Sequence, residues 1–537
     1  MKQRLLAVAL SIGLIGTTFS APARANNELG GGHKIKHVLL ISVDGLHALD
    51  IANYVAAHPN SALAELAGHG ITYSNARTPA NSDSFPGLLA LITGGSPISH
   101  GLFYDVSYNR GIFDPTNTTC TGQAGNMQVF DESVDLYNSA QVSQNVIDPT
   151  KLPRHIDAQG HCVPLYPHDA MKSNTIFEVV KANGGHTAWA DKHPAYDIAN
   201  GPSGKGVDDL FTPEVTNFNG FDNTVSVVCT VENDQKKVQG ILNEIKGLRH
   251  DGTPGTGTPT VFGMNFQGVS VGQKLSTDNA AGLCKDDTAF TGKIGGYKDG
   301  SGTPTDVLAY ALQQTDAALA SMIQGLKARH IYDSTLFIVS AKHGQSPINP
   351  TKINKPGHFA DLVAALPDAA TNAGAIAIAN ANNCSTGACG FVQDDDIALI
   401  WLQDQSQTGA VADYLNANAK ALFIDEVMAG DEINLKFNSP LTDNVTPDVI
   451  VQPIYGTVYT GSKAKNAEHG GFSFGDTNVG LVVSNPALHS RVVKTPVATS
   501  QVAASLLKAL GINPSELQAV QQEGTEVLPF LFSGDEN

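Results

Sequence analysis

"LFIVSAKHGQSPI", residues 336–348, is an apolar run that ends in a lysine, a histidine and a glycine. Its length and β-branched content read as a strand buried on both faces. Comparable runs recur at KHVLLISVDG (36–45), HTAWAD (186–191), TPTVFGMNFQ (258–267), DIALIWL (396–402), PDVIVQPI (447–454) and VGLVVSNP (479–486). Between many of them lie stretches of helical period: SALAELAGHG (61–70), TIFEVVKANGG (175–185), TDVLAYALQQTDAALASMIQGLKARHI (305–331) and SQVAASLLKALG (500–511). The alternation predicts an α/β fold, a large, mostly parallel central sheet with helices on both faces. In such sheets ligands gather at the carboxyl ends of the strands, which is where Lys342 and His343 would stand.

Three stretches break the alternation, at about 105–172, 194–228 and 249–302, where Asn, Asp, Thr, Gly and Pro dominate. They read as loop insertions over the strand ends that shape a substrate pocket. No repeat or linker divides the chain, so residues 26–537 are expected to form a single domain.

Residues 1–25, MKQRLLAVALSIGLIGTTFSAPARA, carry Lys2 and Arg4, an apolar core and a small-x-small end. This is the pattern of a cleaved signal peptide, and the apolar span is too short for a membrane anchor. The mature protein is therefore expected to be secreted or periplasmic, with no membrane association. Six cysteines, Cys120, Cys162, Cys229, Cys284, Cys384 and Cys389, suit that compartment. Cys384 and Cys389 enclose only four residues and read as a local clip, while the pairing of the other four stays open. A zinc knot is disfavoured because no second close pair and no interleaved histidine accompany them. Loss of Lys2, Arg4 and Arg24 with the leader takes the net charge from −18 to −21. That disfavours nucleic acid as a non-specific electrostatic partner and leaves room for a local anion pocket.

Polar residues follow apolar runs at Asp44, at Lys342 with His343, and at His469 in AEHGGFSFGDTNVGLVV. In TPANSDSFPGLLALITGGSPISHG (78–101), Ser84 precedes Phe85-Pro86 and a helix-like segment, near a helix N-terminus that favours an oxyanion. Singly, each has a structural reading as turn residue, cap or core histidine. As an ordered set, they resemble the type I phosphodiesterase/nucleotide pyrophosphatase family of the alkaline phosphatase superfamily. The set is Asp-Gly after the first strand, the hydroxyl before Phe-Pro, Thr-Gly and Ser-His-Gly at 93–101, the central His-Gly and a late His-Gly-Gly. The resemblance implies an alkaline phosphatase-like fold and a covalent phospho-serine intermediate on Ser84. It also implies divalent metal, zinc by analogy, bound through Asp44, Ser84 and His343 at one position and through His469 at a second.

The chain departs from that pattern in two places. The family has aspartate where Lys342 precedes the central histidine, and its Asp-x-x-x-His ligand pair falls here on Val269 and Gln273. A lysine about 4 Å from a dication is repelled by roughly 8 kcal/mol at an effective dielectric near 20. One ion is therefore expected rather than two, with Lys342 standing in for a metal charge beside Ser84 or acting as its base. The sulfatase branch of the superfamily, which pairs one metal with lysines, offers a precedent. Asp105 is a candidate replacement ligand or substrate contact, Arg110 a candidate anion contact, and Lys192 and His193 in WADKHPAYD candidate substrate-binding residues. GPSGKG (201–206) lacks phosphate-loop spacing and is set aside.

The expected function is an exported hydrolase of small phosphorylated substrates, cleaving phosphodiester or nucleotide pyrophosphate-like bonds. The competing readings are a phosphomonoester, phosphonate or sulfate-ester hydrolase, and a non-catalytic binding protein on a decayed phosphatase scaffold.

Overall fold

A computed structural model describes residues 34–532, apart from 80, 137–145, 217–221, 280–283, 285–286 and 384–389. The expected leader and the expected Cys384–Cys389 clip lie outside the described residues.

Eight strands form the main sheet: β1 (His37–Val43), β2 (Gly70–Tyr73), β3 (Thr187–Ala190), β4 (Asp209–Phe211), β5 (Val261–Phe266), β6 (Thr335–Ser340), β7 (Val482–Ser484) and β8 (Arg491–Val493). Their order is β8-β2-β7-β6-β1-β5-β3-β4. From β6 through β4 every pairing is parallel. β7 runs antiparallel to both of its neighbours. The central strands β5 and β6 are buried at every residue, as expected for apolar runs covered on both faces.

Three helices matter most for the site: α1 (Ser84–Thr93), α2 (Val227–Ile245) and α3 (Asp306–Ala328). In α3, Leu308, Ala311, Leu312, Thr315, Leu319, Met322, Ile323 and Leu326 fall on one buried stripe. Thr305 caps its start by accepting from the Leu308 amide.

Two of the apolar runs, 396–402 and 447–454, do not join this sheet. They lie in a four-stranded antiparallel sheet of Phe391–Asp394, Ala398–Trp401, Val449–Pro453 and Ile424–Ala429. That sheet has its own apolar cluster, including Phe359, Ile378, Val411, Leu415 and Tyr459. An apolar run has the same composition in either kind of sheet, so its partner sheet was not readable from its residues. The expected insertions thus omit this segment.

Two disulfides fix loops beside the sheet. Cys120–Cys162 closes the first insertion, and Cys229–Cys284 ties α2 to the third. No helix among the described residues is long and apolar enough to cross a membrane.

Candidate active site

Four adjacent parallel strands, β6, β1, β5 and β3, deliver polar residues at their carboxyl ends. Lys342 and His343 follow β6, Asp44 follows β1, Gln267 follows β5, and Asp191, Lys192 and His193 follow β3. Opposite them Ser84 begins α1, whose N-cap is Asp83 and whose end is a left-handed Gly94.

α1 reaches this position because Gly87 lets it touch the end of β6. A Cβ on Gly87 would lie 1.9 Å from the Lys342 carbonyl oxygen and 2.9 Å from its Cα. Gly87→Ala is expected to cost about 3 kcal/mol by overpacking and to displace Ser84 from His343. Urea unfolding and kcat should both register it; an unaltered kcat would show that α1 is not held by this contact.

Around Ser84 the hydrogen bonds form a closed set. The Lys192 ammonium donates to Asp44 Oδ2 at 2.8 Å, Gln267 Oε1 at 2.9 Å and Ser84 Oγ at 3.2 Å. Those are all three of its protons. His343 Nδ1 lies 2.7 Å from the Gly344 carbonyl, which can only accept, so Nδ1 carries the ring proton. Its Nε2 is then the acceptor for the Ser84 hydroxyl, 3.2 Å away. Asp44 Oδ2 takes a further bond from Asn265 Nδ2 at 3.1 Å, and Oδ1 is buried without a partner among the described residues.

Charge states follow from burial and neighbours. Burial pushes the Asp44 carboxyl up, but Lys192, Lys342 and His343 outweigh it and hold the group far below the usual carboxylate range. Burial disfavours the Lys192 ammonium, yet Asp44 outweighs it and the net shift is upward. For Lys342 burial prevails over Asp191 and Asp44 and lowers it to about 8. Burial also keeps His343 neutral, pulled down to about 3.

The structure redistributes the roles expected from sequence. Lys342 donates to Asp191 Oδ1 at 2.9 Å and lies 3.9 Å from the centre of the Tyr196 ring. None of its hydrogen bonds among the described residues goes to Ser84, and Lys192 holds that contact instead. Val269 is core and Gln273 bonds the Gly45 carbonyl and Tyr297, whereas Gln267 faces the site. Arg110 pairs with Asp448 and the Thr446 carbonyl and is absent from the cavity lining, which corrects its expected role as an anion contact. Charge pattern alone does not tell an arginine tied to a neighbouring carboxylate from one facing a ligand.

His469 stacks on His343 with ring centres 3.9 Å apart, and its Nδ1 lies 3.4 Å from Asp83 Oδ1. Asp105 lines the cavity close to Asp83. Burial drives both carboxyls upward, Asp83 to about 7 and Asp105 to about 8, and the charge of Asp83 adds to the shift of Asp105. His193 bonds Glu214 through Nδ1 at 2.8 Å. With Glu132 these two form the one group among the described residues whose ligand atoms lie within 4.8 Å of one another. Despite burial, Glu214 raises the pKa of His193, so the pair reads as imidazolium and carboxylate.

Ser84 opens onto a cavity of about 670 Å³. Its lining includes the acidic Asp105, Asp131, Glu132 and Asp222 and the basic Lys274, Lys463 and Lys465, and residues from all three insertions contribute. Gln267, Asn265 and Asp83 were not singled out by sequence. Gln267 could have been found, since it follows its strand as Asp44 follows β1.

A family model for type I phosphodiesterase/nucleotide pyrophosphatase matches residues 38–473. No curated protein matches the chain by sequence. Among solved structures, murine ectonucleotide pyrophosphatase/phosphodiesterase 5, an inactive variant in complex with AMP, aligns at 13% identity over 89% of this chain and 96% of that chain, with a TM-score of 0.52. Wild-type alkaline phosphatase PafA aligns at 12% identity over 89% and 96%, with a TM-score of 0.52, and a four-fold substituted PafA variant reaches 0.56. At such identities the likeness is one of fold.

The matched family generally depends on divalent metal ions. A metal joining Asp44, Ser84 and His343 would fall where Lys192 donates to Asp44 and Ser84. The unpartnered Asp44 Oδ1 is a free ligand atom, but an ion there would stand beside a charged lysine, with roughly 8 kcal/mol of repulsion at about 4 Å. The residues around Ser84 do not fit that ion.

Proposed function

The chain belongs to the type I phosphodiesterase/nucleotide pyrophosphatase family, and on that premise we propose that it is an exported phosphodiester hydrolase acting through a covalent phospho-Ser84 intermediate. The observation that carries this reading is the Ser84 hydroxyl, on a residue that lines the cavity, 3.2 Å from both Lys192 Nζ and His343 Nε2. One partner donates to the oxygen and the other accepts its proton, which is what an activated nucleophile requires.

In the first step Ser84 Oγ attacks phosphorus, its proton passes to His343 Nε2, and Lys192 stabilises the developing negative charge on oxygen. His343 is a weak base in the empty site. A bound phosphoryl anion favours the imidazolium and raises its basicity when the proton must move. The leaving alkoxide departs towards the cavity mouth and takes up, through solvent, the proton held on His343 Nε2, which returns His343 to its neutral form. Water then attacks the phospho-serine, His343 takes a proton from it, and Ser84 regains its hydrogen.

Charge balance supports diesters over monoesters. Asp44 and Asp191 offset Lys192 and Lys342, and Asp83 and Asp105 lie close by. Such a site has little surplus positive charge for a second phosphate charge, which a monoester carries above a pKa near 6. The two disulfides support a secreted or periplasmic location.

The test is acid quenching during turnover of bis-p-nitrophenyl phosphate, followed by mass analysis of the peptide holding Ser84. A phosphoryl adduct on Ser84, with the diester turned over faster than p-nitrophenyl phosphate or sulfate, is expected. Turnover without any adduct, under conditions where release is rate-limiting, defeats the covalent reading.

A further inference from the structure

Four buried groups beside Ser84 form two ion pairs. Lys192 pairs with Asp44 at 2.8 Å and Lys342 with Asp191 at 2.9 Å, and each lysine follows a different strand of the same sheet. Two carboxylates and two ammonium groups leave this cluster neutral with no metal present. A dication added to it would introduce two unbalanced charges into a water-poor setting, where isolated charge is costly.

The substitutions also make sense as a set. Lysine before His343 removes a carboxylate from the family's metal position, and its own ammonium turns away to Asp191. The vacated place is filled by Lys192, whose three protons reach Asp44, Gln267 and Ser84. Gln267 and Asn265 complete the position as neutral partners, one accepting from Lys192 and the other donating to Asp44. His469, expected to serve a second ion, has Asp83 as its close acidic neighbour, and Val269 and Gln273 supply neither missing ligand.

We infer that the Lys192 ammonium is a built-in replacement for the metal that contacts the nucleophile, so that Ser84 is activated with no divalent ion on Asp44. The inference rests on the hydrolase reading for its catalytic meaning. Its charge substitution is testable without turnover.

Three measurements decide it. Anomalous scattering from crystals grown with zinc is expected to show no ion between Asp44, Ser84 and His343 in the wild-type protein; a peak there overturns the inference. Lys192→Ala leaves Asp44, His343 and Ser84 around an open space, so zinc is expected to raise the melting temperature of that variant and not of wild type. Equal zinc-induced shifts in the two proteins overturn it. Lys192→Gln, which keeps the size and loses the charge, is expected to lower kcat about 100- to 1000-fold, with wild-type kcat unaffected by dialysis against chelator. Chelator-sensitive wild-type turnover restored by zinc, or a Lys192→Gln variant within about threefold of wild type, overturns the inference. If Lys192→Ala does not fold, scattering and chelation on the wild-type protein still decide. A Ser84 variant that keeps full activity would defeat the covalent mechanism while leaving the scattering result intact, so the two failures are distinguishable.

Discussion

Ser84→Ala is expected to lower kcat by about 10⁴-fold or more while leaving substrate affinity within about threefold. The asymmetry follows from the hydrogen bonds. Deleting the hydroxyl removes the attacking atom, but Lys192 keeps Asp44 and Gln267 as partners and remains in place to meet an anion. His343 loses the Ser84 donor at Nε2 and retains its Gly344 contact, so the ring stays oriented. Ser84 is a small residue at the first position of a helix whose N-cap bond comes from Asp83, so alanine should cost little stability. Tungstate, which mimics phosphate without needing the nucleophile, should still raise the melting temperature of the variant. A kcat within about tenfold of wild type would mean that water, not Ser84, attacks phosphorus.

How far the sequence discloses this site is clearest from the strand ends. Asp44, Lys192, His343 and Lys342 all follow apolar runs, and position after a buried run is a local signal that survives without any tertiary information. Ser84 was readable for a similar reason, since Asp-Ser-Phe-Pro before an apolar period marks a helix start. What the sequence does not encode locally is which of two lysines at neighbouring strand ends turns towards the nucleophile. That choice is made by the acceptors each meets: Asp191 and the Tyr196 face for Lys342, Asp44 and Gln267 for Lys192. Those acceptors are 75 to 151 residues away along the chain, and only strand order brings them together. Asp83 escaped notice for the opposite reason. A residue that caps a helix has a sufficient local role, and nothing in its neighbourhood reveals that His469 approaches its other oxygen or that its charge acts on Asp105. The fold class was legible because alternating strand and helix periods admit few architectures, while the antiparallel sheet around Ala398–Trp401 was hidden because burial erases the alternation that distinguishes its strands.

Lys342→Met is expected to destabilise the protein by about 3 to 5 kcal/mol at neutral pH. The lysine and its partner Asp191 are both fully buried. Removing the cation leaves Asp191 with the Trp189 indole at 3.1 Å and its own neighbour's amide at 2.9 Å, which are too few donors for a carboxylate out of water. Lys342→Met combined with Asp191→Asn should recover much of the loss, because the uncompensated charge is then gone. The pH dependence has a definite sign. Burial lowers Lys342 in the folded protein to about 8, below its ordinary 10.5, so the folded state releases this proton more readily than the unfolded one. Over that interval the unfolded state binds more protons, and the contribution of Lys342 to stability rises with pH, by about 3 kcal/mol in all. The gap between wild type and Lys342→Met should therefore widen as pH climbs from 8 to 10.5 and stay level below 8. Urea unfolding of both proteins across that range measures it, and a gap that narrows would show that Lys342 is held charged by Asp191 rather than pressed towards neutrality by burial. Because Lys342 does not bond Ser84, the double variant should also keep most of its turnover, whereas Lys192→Gln should not. The contrast separates a lysine that keeps a buried carboxylate satisfied from one that acts on the reacting oxygen.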